Sequence, residues 1–232
     1  MAEPFTYELD GTIAVVTMDD GKANALSVEM IDGLLAALTR AEGEAKAMVL
    51  AGRAERFCAG FDLKVMMSGP ANATALLQRG SELLLRLYAA KLPLVNAVTG
   101  HALAGGALVV LTGDLRIGAR GAFKIGLNEV SIGLPVPVLA MELARDRIIK
   151  RELDRATLMA QIYNPDEALT AGYLDAVVDP AELLGRAKAE AARLGALPGG
   201  AFRATKQRLR GKTIDYIRAT MATDMATLLT PQ

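Results

Sequence analysis

The amino-acid sequence predicts an α/β protein in which a core of alternating strands and helices is followed by a helical tail. Short β-branched apolar runs alternate with segments of helical apolar spacing through the first three quarters of the 232-residue chain. After Pro180 the strand-like runs almost cease, and alanine-rich amphipathic segments continue to the C-terminus. We therefore predict a core over residues 1–179 and a C-terminal helical region over residues 180–232.

The first strands and helices of this pattern lie in the N-terminal half. Residues 12–18 form a β-branched run that ends at the turn-forming sequence Asp19-Asp20-Gly21. Ser27 is a helix-capping residue type, and apolar residues at helical spacing follow it, so we expect a helix that ends near Gly43. The remaining apolar segments of this half predict a buried strand and a longer helix, at residues 47–51 and 73–90.

The second half continues the alternation. Residues 94–98 predict a strand, and residues 103–112 predict a helix buried on all sides, because they have almost no polar side chain. The sequence Asn164-Pro165-Asp166-Glu167 combines a cap residue, a first-turn proline and two acids, which is typical of a helix start. Further short strands are expected at residues 115–117, 123–125 and 175–179, a helix at residues 138–147, and a break in the tail at residues 197–200.

The composition excludes several classes of function. Lys plus Arg and Asp plus Glu both total 26, so no overall field attracts nucleic acid or an anionic membrane. Cys58 is the single cysteine and His101 the single histidine, so neither an internal disulfide nor a closed zinc site is expected. The N-terminus does not have the pattern of a signal peptide, and no stretch is long and apolar enough to span a membrane. We predict a cytoplasmic protein.

Three segments place small residues beside predicted strands, at residues 57–63, 100–106 and 125–130. Glycine before a helix allows the backbone to approach a ligand closely and leaves N–H donors that face it. Taken alone, the Gly105-Gly106 pair fits an ordinary strand-to-helix turn equally well.

Taken in order, these segments resemble the enoyl-CoA hydratase/isomerase (crotonase) family. The family pattern is an N-A-L turn, an F-C-A-G-x-D segment, a segment ending in Gly-Gly, and a strand ending in a glutamate. These features are found here at Asn24–Leu26, Phe57–Asp62, Gly100–Gly106 and Gly126–Glu129. The resemblance covers roughly residues 5–180 and is vaguer in the tail. It implies a crotonase-like spiral of ββα units for the core and a C-terminal helical region that helps to build trimers.

The resemblance also implies a role for individual residues. Phe61 and Gly106 occupy the two oxyanion positions, whose backbone N–H groups bind the thioester oxygen, and Glu129 occupies the position of a catalytic acid–base. Removal of the α-proton of a thioester places negative charge on that oxygen, and each fixed donor is worth about 3–4 kcal/mol. The implied substrate is an acyl-CoA, with no cofactor beyond its CoA, and the implied partner is a second copy, as a homotrimer or dimer of trimers. The positions that contact CoA are Lys22, Ala23, Ala25, Ala59, Asp62, Leu63 and Gly105.

One departure from the family pattern favours isomerisation over hydration. Hydratases of this family use two glutamates, but the first of these positions is occupied here by Leu108, and only Glu129 remains. A single carboxylate suits transfer of a proton from C2 to C4 of a 3-enoyl-CoA, which gives 2-enoyl-CoA in fatty acid metabolism. The amino-acid sequence of residues 125–129, followed by Pro137, also resembles that of the short-chain isomerase branch of the family. Such a base needs a raised pKa, for which we expect an apolar wall made by Val130, Ile132 and Leu134.

Other interpretations of the sequence remain open. Hydration of a 2-enoyl-CoA is the first alternative, with one carboxylate making both proton transfers or with Glu142 recruited, although Glu142 is expected to be salt-bridged and exposed. A non-catalytic acyl-CoA-binding protein is the second. RNA binding is the third, and its only support is the basic segment 203–212, which more simply predicts a solvated helix face. We expect a structural role for His101 and a small buried side chain at Cys58.

Overall fold

The computed structural model describes residues 3–228, and it confirms the α/β class. Along the chain the strands are β1 (Phe5–Asp10), β2 (Ile13–Met18), β3 (Ala25–Leu26), β4 (Ala47–Gly52), β5 (Glu55–Cys58), β6 (Gly60–Phe61), β7 (Leu94–Val98), β8 (Gly100–Leu103), β9 (Leu115–Ala119), β10 (Ile125–Gly126) and β11 (Ala176–Val178). The helices are α1 (Val28–Glu44), α2 (Leu63–Met66), α3 (Pro70–Tyr88), α4 (Gly105–Thr112), α5 (Val138–Arg147), α6 (Leu153–Ala156), α7 (Pro165–Ala171), α8 (Pro180–Gly195) and α9 (Gly199–Leu228).

The strands form three sheets within the described residues. The main sheet has the order β1-β2-β4-β7-β9-β11, in which only the β1–β2 pair is antiparallel. A second sheet has the order β10-β8-β5, and a short third sheet pairs β3 with β6; both are parallel. Strands β5, β6, β8 and β10 of these smaller sheets lie within or overlap the segments 57–63, 100–106 and 125–130. The sheets therefore bring together the segments that the sequence analysis selected.

Both faces of the main sheet are covered, as is usual for parallel strands. Helices α1, α3 and α4 lie over one face in a large apolar core, and every residue of α4 is buried. Helix α8 covers the other face, where Leu183, Ala187 and Ala191 pack against the strands. Because α8 packs on the main sheet itself, the first helix of the tail completes the core; the division of the chain at residue 180 stays a prediction.

Most predicted elements are confirmed, with local differences. Ser27 caps α1 through a bond from the Met30 N–H, and Asn164 and Glu167 form the expected capping box at α7. Strand β1 was not predicted, because it lies at the sheet edge with mostly exposed side chains and lacks a clear apolar alternation. The strand expected at residues 123–125 is reduced to Ile125–Gly126, so Glu129 lies beyond the strand rather than at its end.

The basic segment of α9 differs from the expected solvated face. Lys206 and Arg210 are buried and both bond to Asp114, with N–O distances of 2.8 Å. Arg210 also donates to the Tyr88 carbonyl at 2.8 Å. Two of the five cations in this segment therefore fasten α9 to the core, which weakens the only support for RNA binding.

No helix in the described part of the chain is long and apolar enough to cross a membrane. Within residues 3–228, no group of three or more His, Cys, Asp or Glu side chains is arranged to hold a metal ion.

Candidate active site

The start of α4 and the β5–β6 connection are in direct contact. A Cβ atom added to Gly106 would lie 2.0 Å from the Cys58 carbonyl oxygen, and one added to Gly60 would lie 3.0 Å from the Leu103 carbonyl oxygen. Gly60 also has a φ of +95°, which disfavours any side chain. Glycine is therefore required at both positions, and the contact brings the backbone of Phe61 close to that of Gly106.

Both predicted oxyanion donors are available to a ligand. Gly106 is the second residue of α4, so its N–H has no acceptor within the helix, and the positive end of the helix dipole favours an anion. In the parallel β3–β6 pair, the Asp62 N–H donates to the Leu26 carbonyl at 3.3 Å. Because successive residues of a strand present their N–H groups to opposite sides, the Phe61 N–H points away from β3.

The Phe61 ring is held by two glycines. A Cβ atom at Gly80 of α3 would lie 2.1 Å from the Phe61 ring, and one at Gly105 would lie 3.1 Å from it. The ring therefore occupies the space that these two missing side chains leave, between α3 and α4. This packing fixes the position of the Phe61 backbone, which is what a fixed N–H donor needs.

Glu129 is a buried carboxylate with one unpaired oxygen. It lies directly before a 3₁₀ turn (Val130–Ile132), its residue is 8% exposed, and its Oε2 atom makes no hydrogen bond. Burial raises the pKa of Glu129 above its ordinary value, while its own backbone group lowers the pKa to a smaller extent. A carboxylate whose charged form is penalised in this way is suited to accept a proton and release it again.

Replacement of Glu129 by glutamine is expected to stabilise the fold at neutral and higher pH. An unfolded glutamate ionises near pH 4.3, but the pKa of Glu129 is raised in the folded protein. Between the two values the folded state binds more protons, so stability falls as pH rises through this window. Thermal unfolding of both proteins checks this: the gain in melting temperature from Glu129→Gln should be largest near about pH 8 and disappear near about pH 4. An equal difference at both pH values would contradict it.

The predicted apolar wall is wrong. Val130, Ile132 and Leu134 are 44%, 55% and 37% exposed, so they do not form a buried wall. The burial of Glu129 therefore has another source in the fold.

The two positions considered for a second acid have clear environments. Leu108 is 3% exposed and belongs to the apolar core around α4. Glu142 lies on α5 and pairs with Arg145, as expected, but its side chain is only 14% exposed. The expected ion pair is confirmed, and the expected exposure is wrong because Glu142 lies on a partly covered face of the helix.

The predicted CoA-contacting segments lie side by side. The Ala59 N–H donates to the Ala23 carbonyl at 3.0 Å, and β3 pairs with β6. Most of these residues are at least partly exposed to solvent. Lys22, Ala59 and Leu63 are exposed, Ala23, Ala25 and Asp62 are half-buried, and Gly105 is buried behind the Phe61 ring.

The side chains of Asp20 and Asn24 hold the loop at residues 20–25 in place through hydrogen bonds to the backbone. The Asp20 carboxylate accepts bonds from the N–H groups of Lys22, Asn24 and Ala25. Asn24 is fully buried with a φ of +54°, and its Nδ2 donates to the carbonyls of Met18, Arg56 and Phe57 within 3.2 Å. The sequence motif contained Asn24 without showing this role, and Asp20 was assigned only to a turn.

Replacement of Asn24 by alanine is expected to lower the free energy of unfolding by about 2–3 kcal/mol, because buried carbonyls lose their donor. The loop that holds Lys22 and Ala25 should loosen, so the KM for a CoA substrate should rise. Urea unfolding and steady-state kinetics measure the two effects. Asn72→Ala is the matched control, because the Asn72 amide bonds only the Ser68 hydroxyl at the surface; equal losses in both variants would contradict the role of Asn24.

His101 and Cys58 have structural environments. His101 Nδ1 accepts a bond from the Lys124 N–H at 3.0 Å, and its ring stands edge-on to Phe123. Burial, then Arg56 and Lys124, lower the pKa of His101. Cys58 is fully buried, and burial raises the pKa of its thiol to about 12, so it stays protonated.

A surface cleft of about 880 Å³ lies apart from these residues. Arg120, Arg155 and Tyr163 are among its lining residues, and Phe61, Gly106 and Glu129 are not. Cavity size therefore does not identify the candidate active site, which is defined by the two backbone donors and the buried carboxylate.

Known proteins similar to this chain include both isomerases and hydratases by name. The family model for enoyl-CoA hydratase/isomerase matches residues 8–230. Human mitochondrial enoyl-CoA delta isomerase 1 is 33% identical over 206 residues, which cover 87% of this chain and 68% of the human protein. A probable enoyl-CoA hydratase of Rhodobacter capsulatus is 33% identical over 204 residues, which cover 87% of this chain and 79% of that protein.

Solved structures give the same result. An enoyl-CoA hydratase/isomerase family protein of Pseudomonas syringae superposes with a TM-score of 0.94 and 38% identity, covering 97% of this chain and 98% of the other. Human mitochondrial delta3-delta2-enoyl-CoA isomerase superposes with a TM-score of 0.93 and 31% identity, covering 97% and 90%. The predicted crotonase-like fold is thereby confirmed. The chain belongs to the enoyl-CoA hydratase/isomerase family.

Proposed function

We propose that this enzyme isomerises a 3-enoyl-CoA to the conjugated 2-enoyl-CoA, with Glu129 as the only proton-transferring carboxylate. Two facts together carry the proposal: Glu129 is buried with its Oε2 unpaired, and position 108 is a buried leucine rather than a glutamate. A buried leucine offers no group that can activate water. The similarity to the human protein named enoyl-CoA delta isomerase supports the same reaction.

The proposed reaction has two proton transfers and no net exchange with water. The Glu129 carboxylate removes a proton from C2, and the electron pair of the C–H bond delocalises onto the thioester oxygen. The N–H groups of Phe61 and Gly106 bind that oxygen as its negative charge develops. The protonated Glu129 then returns the proton to C4, the double bond moves to C2–C3, and the carboxylate is restored.

The proposed binding mode places CoA along the edge formed by residues 22–25 and 59–63. Exposed Lys22 supplies a positive charge there, and the half-buried alanines leave room for an extended ligand. The proposed reaction needs no cofactor other than the CoA of the substrate.

We also propose that the enzyme acts in the cytoplasm as a homotrimer or a dimer of trimers. Exposed apolar side chains, which a single copy leaves in water, support self-association. They include Val130 and Ile132 beside Glu129, and Leu158 and Met159, which are 65% and 69% exposed.

Hydration of a 2-enoyl-CoA is the second candidate, and the relative named a probable hydratase supports it. Two absorbance assays on the purified protein separate the candidates. With a 3-enoyl-CoA the proposal predicts a gain of conjugated-thioester absorbance, and with a 2-enoyl-CoA it predicts no loss. A loss with the 2-enoyl-CoA would support hydration, and no change in either assay would refute both reactions.

A further inference from the structure

A second surface cleft, of about 380 Å³, lies between the residues that follow α3 and the first turns of α9. Lys91, Arg203 and Lys206 line this α3–α9 cleft, and none of its described lining residues is acidic. Lys91 lies just before β7, at the amino end of that strand, whereas Phe61 and Gly106 follow the carboxyl ends of β5 and β8. The α3–α9 cleft is therefore separate from the candidate active site.

The buried side of the α3–α9 cleft contains a cluster of cations. Lys206 and Arg210 are 8% and 4% exposed, and both bond the Asp114 carboxylate at 2.8 Å. Arg147 belongs to the same cluster, because its guanidinium carbon and that of Arg210 lie 5.8 and 4.4 Å from the centre of the Tyr88 ring. Two buried cations therefore share one carboxylate, and a third cation lies beside them.

The other carboxylates of this region are already engaged. Asp146 accepts a hydrogen bond from the Tyr88 hydroxyl. Asp175 pairs with a further cation, Arg116, at 2.6 Å. Positive charge therefore remains in excess on the buried side of the α3–α9 cleft, and an uncompensated buried charge is costly.

The pKa of Lys206 is consistent with this excess. Burial lowers the pKa of Lys206 to about 8; the attraction of Asp114 opposes this change, and repulsion from Arg210 and Arg147 adds to it. A bound anion beside Lys206 would favour the charged form of its amine and relieve the repulsion among the three cations.

Two more cations stand at the cleft without a partner. Lys91 and Arg203 are exposed, and neither side chain makes an ion pair or a hydrogen bond within residues 3–228. A guanidinium group binds phosphate through two parallel hydrogen bonds, and a lysine adds a compact point charge. Ala90 and Ile214 give the cleft an apolar part beside these cations.

We propose that the α3–α9 cleft binds a small phosphomonoester other than the substrate, with its phosphate held by Lys91, Arg203 and Lys206. A phosphomonoester carries about 1.5–2 negative charges at neutral pH, which matches the excess of positive charge. The cleft is larger than a phosphate needs, so the organic group lies against Ala90 and Ile214. Because Lys206 also fastens α9 to Asp114, the bound anion strengthens the attachment of α9 to the core.

The test is thermal unfolding of the purified protein titrated with inorganic phosphate, compared with sodium chloride at matched ionic strength. An anion that binds only the folded protein raises the melting temperature in a saturable way. The double variant Lys91→Gln/Arg203→Gln should bind phosphate about tenfold more weakly or worse, because it loses two charge-assisted contacts. Both residues are exposed, so the variant should fold normally.

Arg208→Gln is the matched control. Arg208 is also an exposed cation of α9, but it bonds the Ala204 carbonyl of its own helix and does not line the cleft. Its variant should keep the full response to phosphate. A wild-type response no larger than that to chloride, or an equal response in the double variant, would overturn the proposal.

Free CoA distinguishes the two possible sources of the phosphate, because CoA itself carries a phosphomonoester. If the α3–α9 cleft takes a separate ligand, inorganic phosphate should still raise the melting temperature when the protein is saturated with CoA. Loss of the phosphate response under these conditions would mean that CoA occupies the same site, and it would overturn a separate phosphomonoester site. Neither measurement requires turnover, so the result is independent of the reaction that the enzyme catalyses.

Discussion

Replacing Glu129 with glutamine is expected to lower kcat for isomerisation by about 10²- to 10⁴-fold, the range for loss of a general acid–base. Glutamine keeps the shape of the side chain and cannot accept a proton, so substrate binding should persist. KM for a 3-enoyl-CoA should therefore change little, and the loss should appear in kcat. Steady-state measurement of the conjugated-thioester absorbance gives both constants.

Glu142→Gln is the control for this substitution. Glu142 is also a largely covered glutamate, but its carboxylate pairs with Arg145 on α5. If Glu142 takes no part in proton transfer, its variant should retain nearly full kcat. A comparable loss in Glu142→Gln would point to a second acid and to hydration, and an active Glu129→Gln would refute the shuttle.

Replacing Gly106 with alanine is expected to lower kcat by about 10²- to 10³-fold, the effect of removing one oxyanion donor. The new Cβ would lie 2.0 Å from the Cys58 carbonyl oxygen, so either α4 or β5 must move. Because both carry backbone that defines the oxyanion site, the Gly106 and Phe61 N–H groups lose their common alignment. The same clash should lower the free energy of unfolding by about 1–3 kcal/mol, as overpacking in a core does.

Gly185→Ala provides the matched control. Gly185 is also within a helix, but an added Cβ would meet no atom within 4 Å. This variant should keep full activity and gain about 0.4–1 kcal/mol of stability from the reduced freedom of the unfolded chain. Unchanged kcat in Gly106→Ala would contradict the placement of the oxyanion donor.

Most of the helices and strands could be predicted from the sequence, because the signals that define them are local. Three of these signals each act within one element: the Ser27 cap, the capping box of Asn164 and Glu167, and the apolar run of α4. Each could therefore be recognised without the structure. Strand β1 could not, because its pairing with β2 rather than its own apolar pattern holds it in place. The burial of Lys206 also depends on a partner 92 residues away, Asp114, which spacing alone does not reveal.

The candidate site was predictable in its residues and less so in its environment. The motifs selected Phe61, Gly106 and Glu129, and the structure shows why two of these positions depend on missing side chains nearby. The surroundings of Glu129 were not predictable. Val130 follows it in sequence but is 44% exposed, so its apolar side chain does not account for the burial of the carboxylate. The sequence neighbours of Glu129 therefore did not identify the residues that bury it.

The most direct test of a single-carboxylate isomerase is the mass of its product in ¹⁸O-labelled water. The purified enzyme is incubated with a 3-enoyl-CoA in H₂¹⁸O, and the products are separated and analysed by mass spectrometry. A proton shuttle through Glu129 predicts a 2-enoyl-CoA of unchanged mass without ¹⁸O. A 3-hydroxyacyl-CoA carrying ¹⁸O would show that the enzyme adds water. It would contradict the account in which Leu108 occupies the position of the second glutamate and leaves Glu129 as the one catalytic carboxylate.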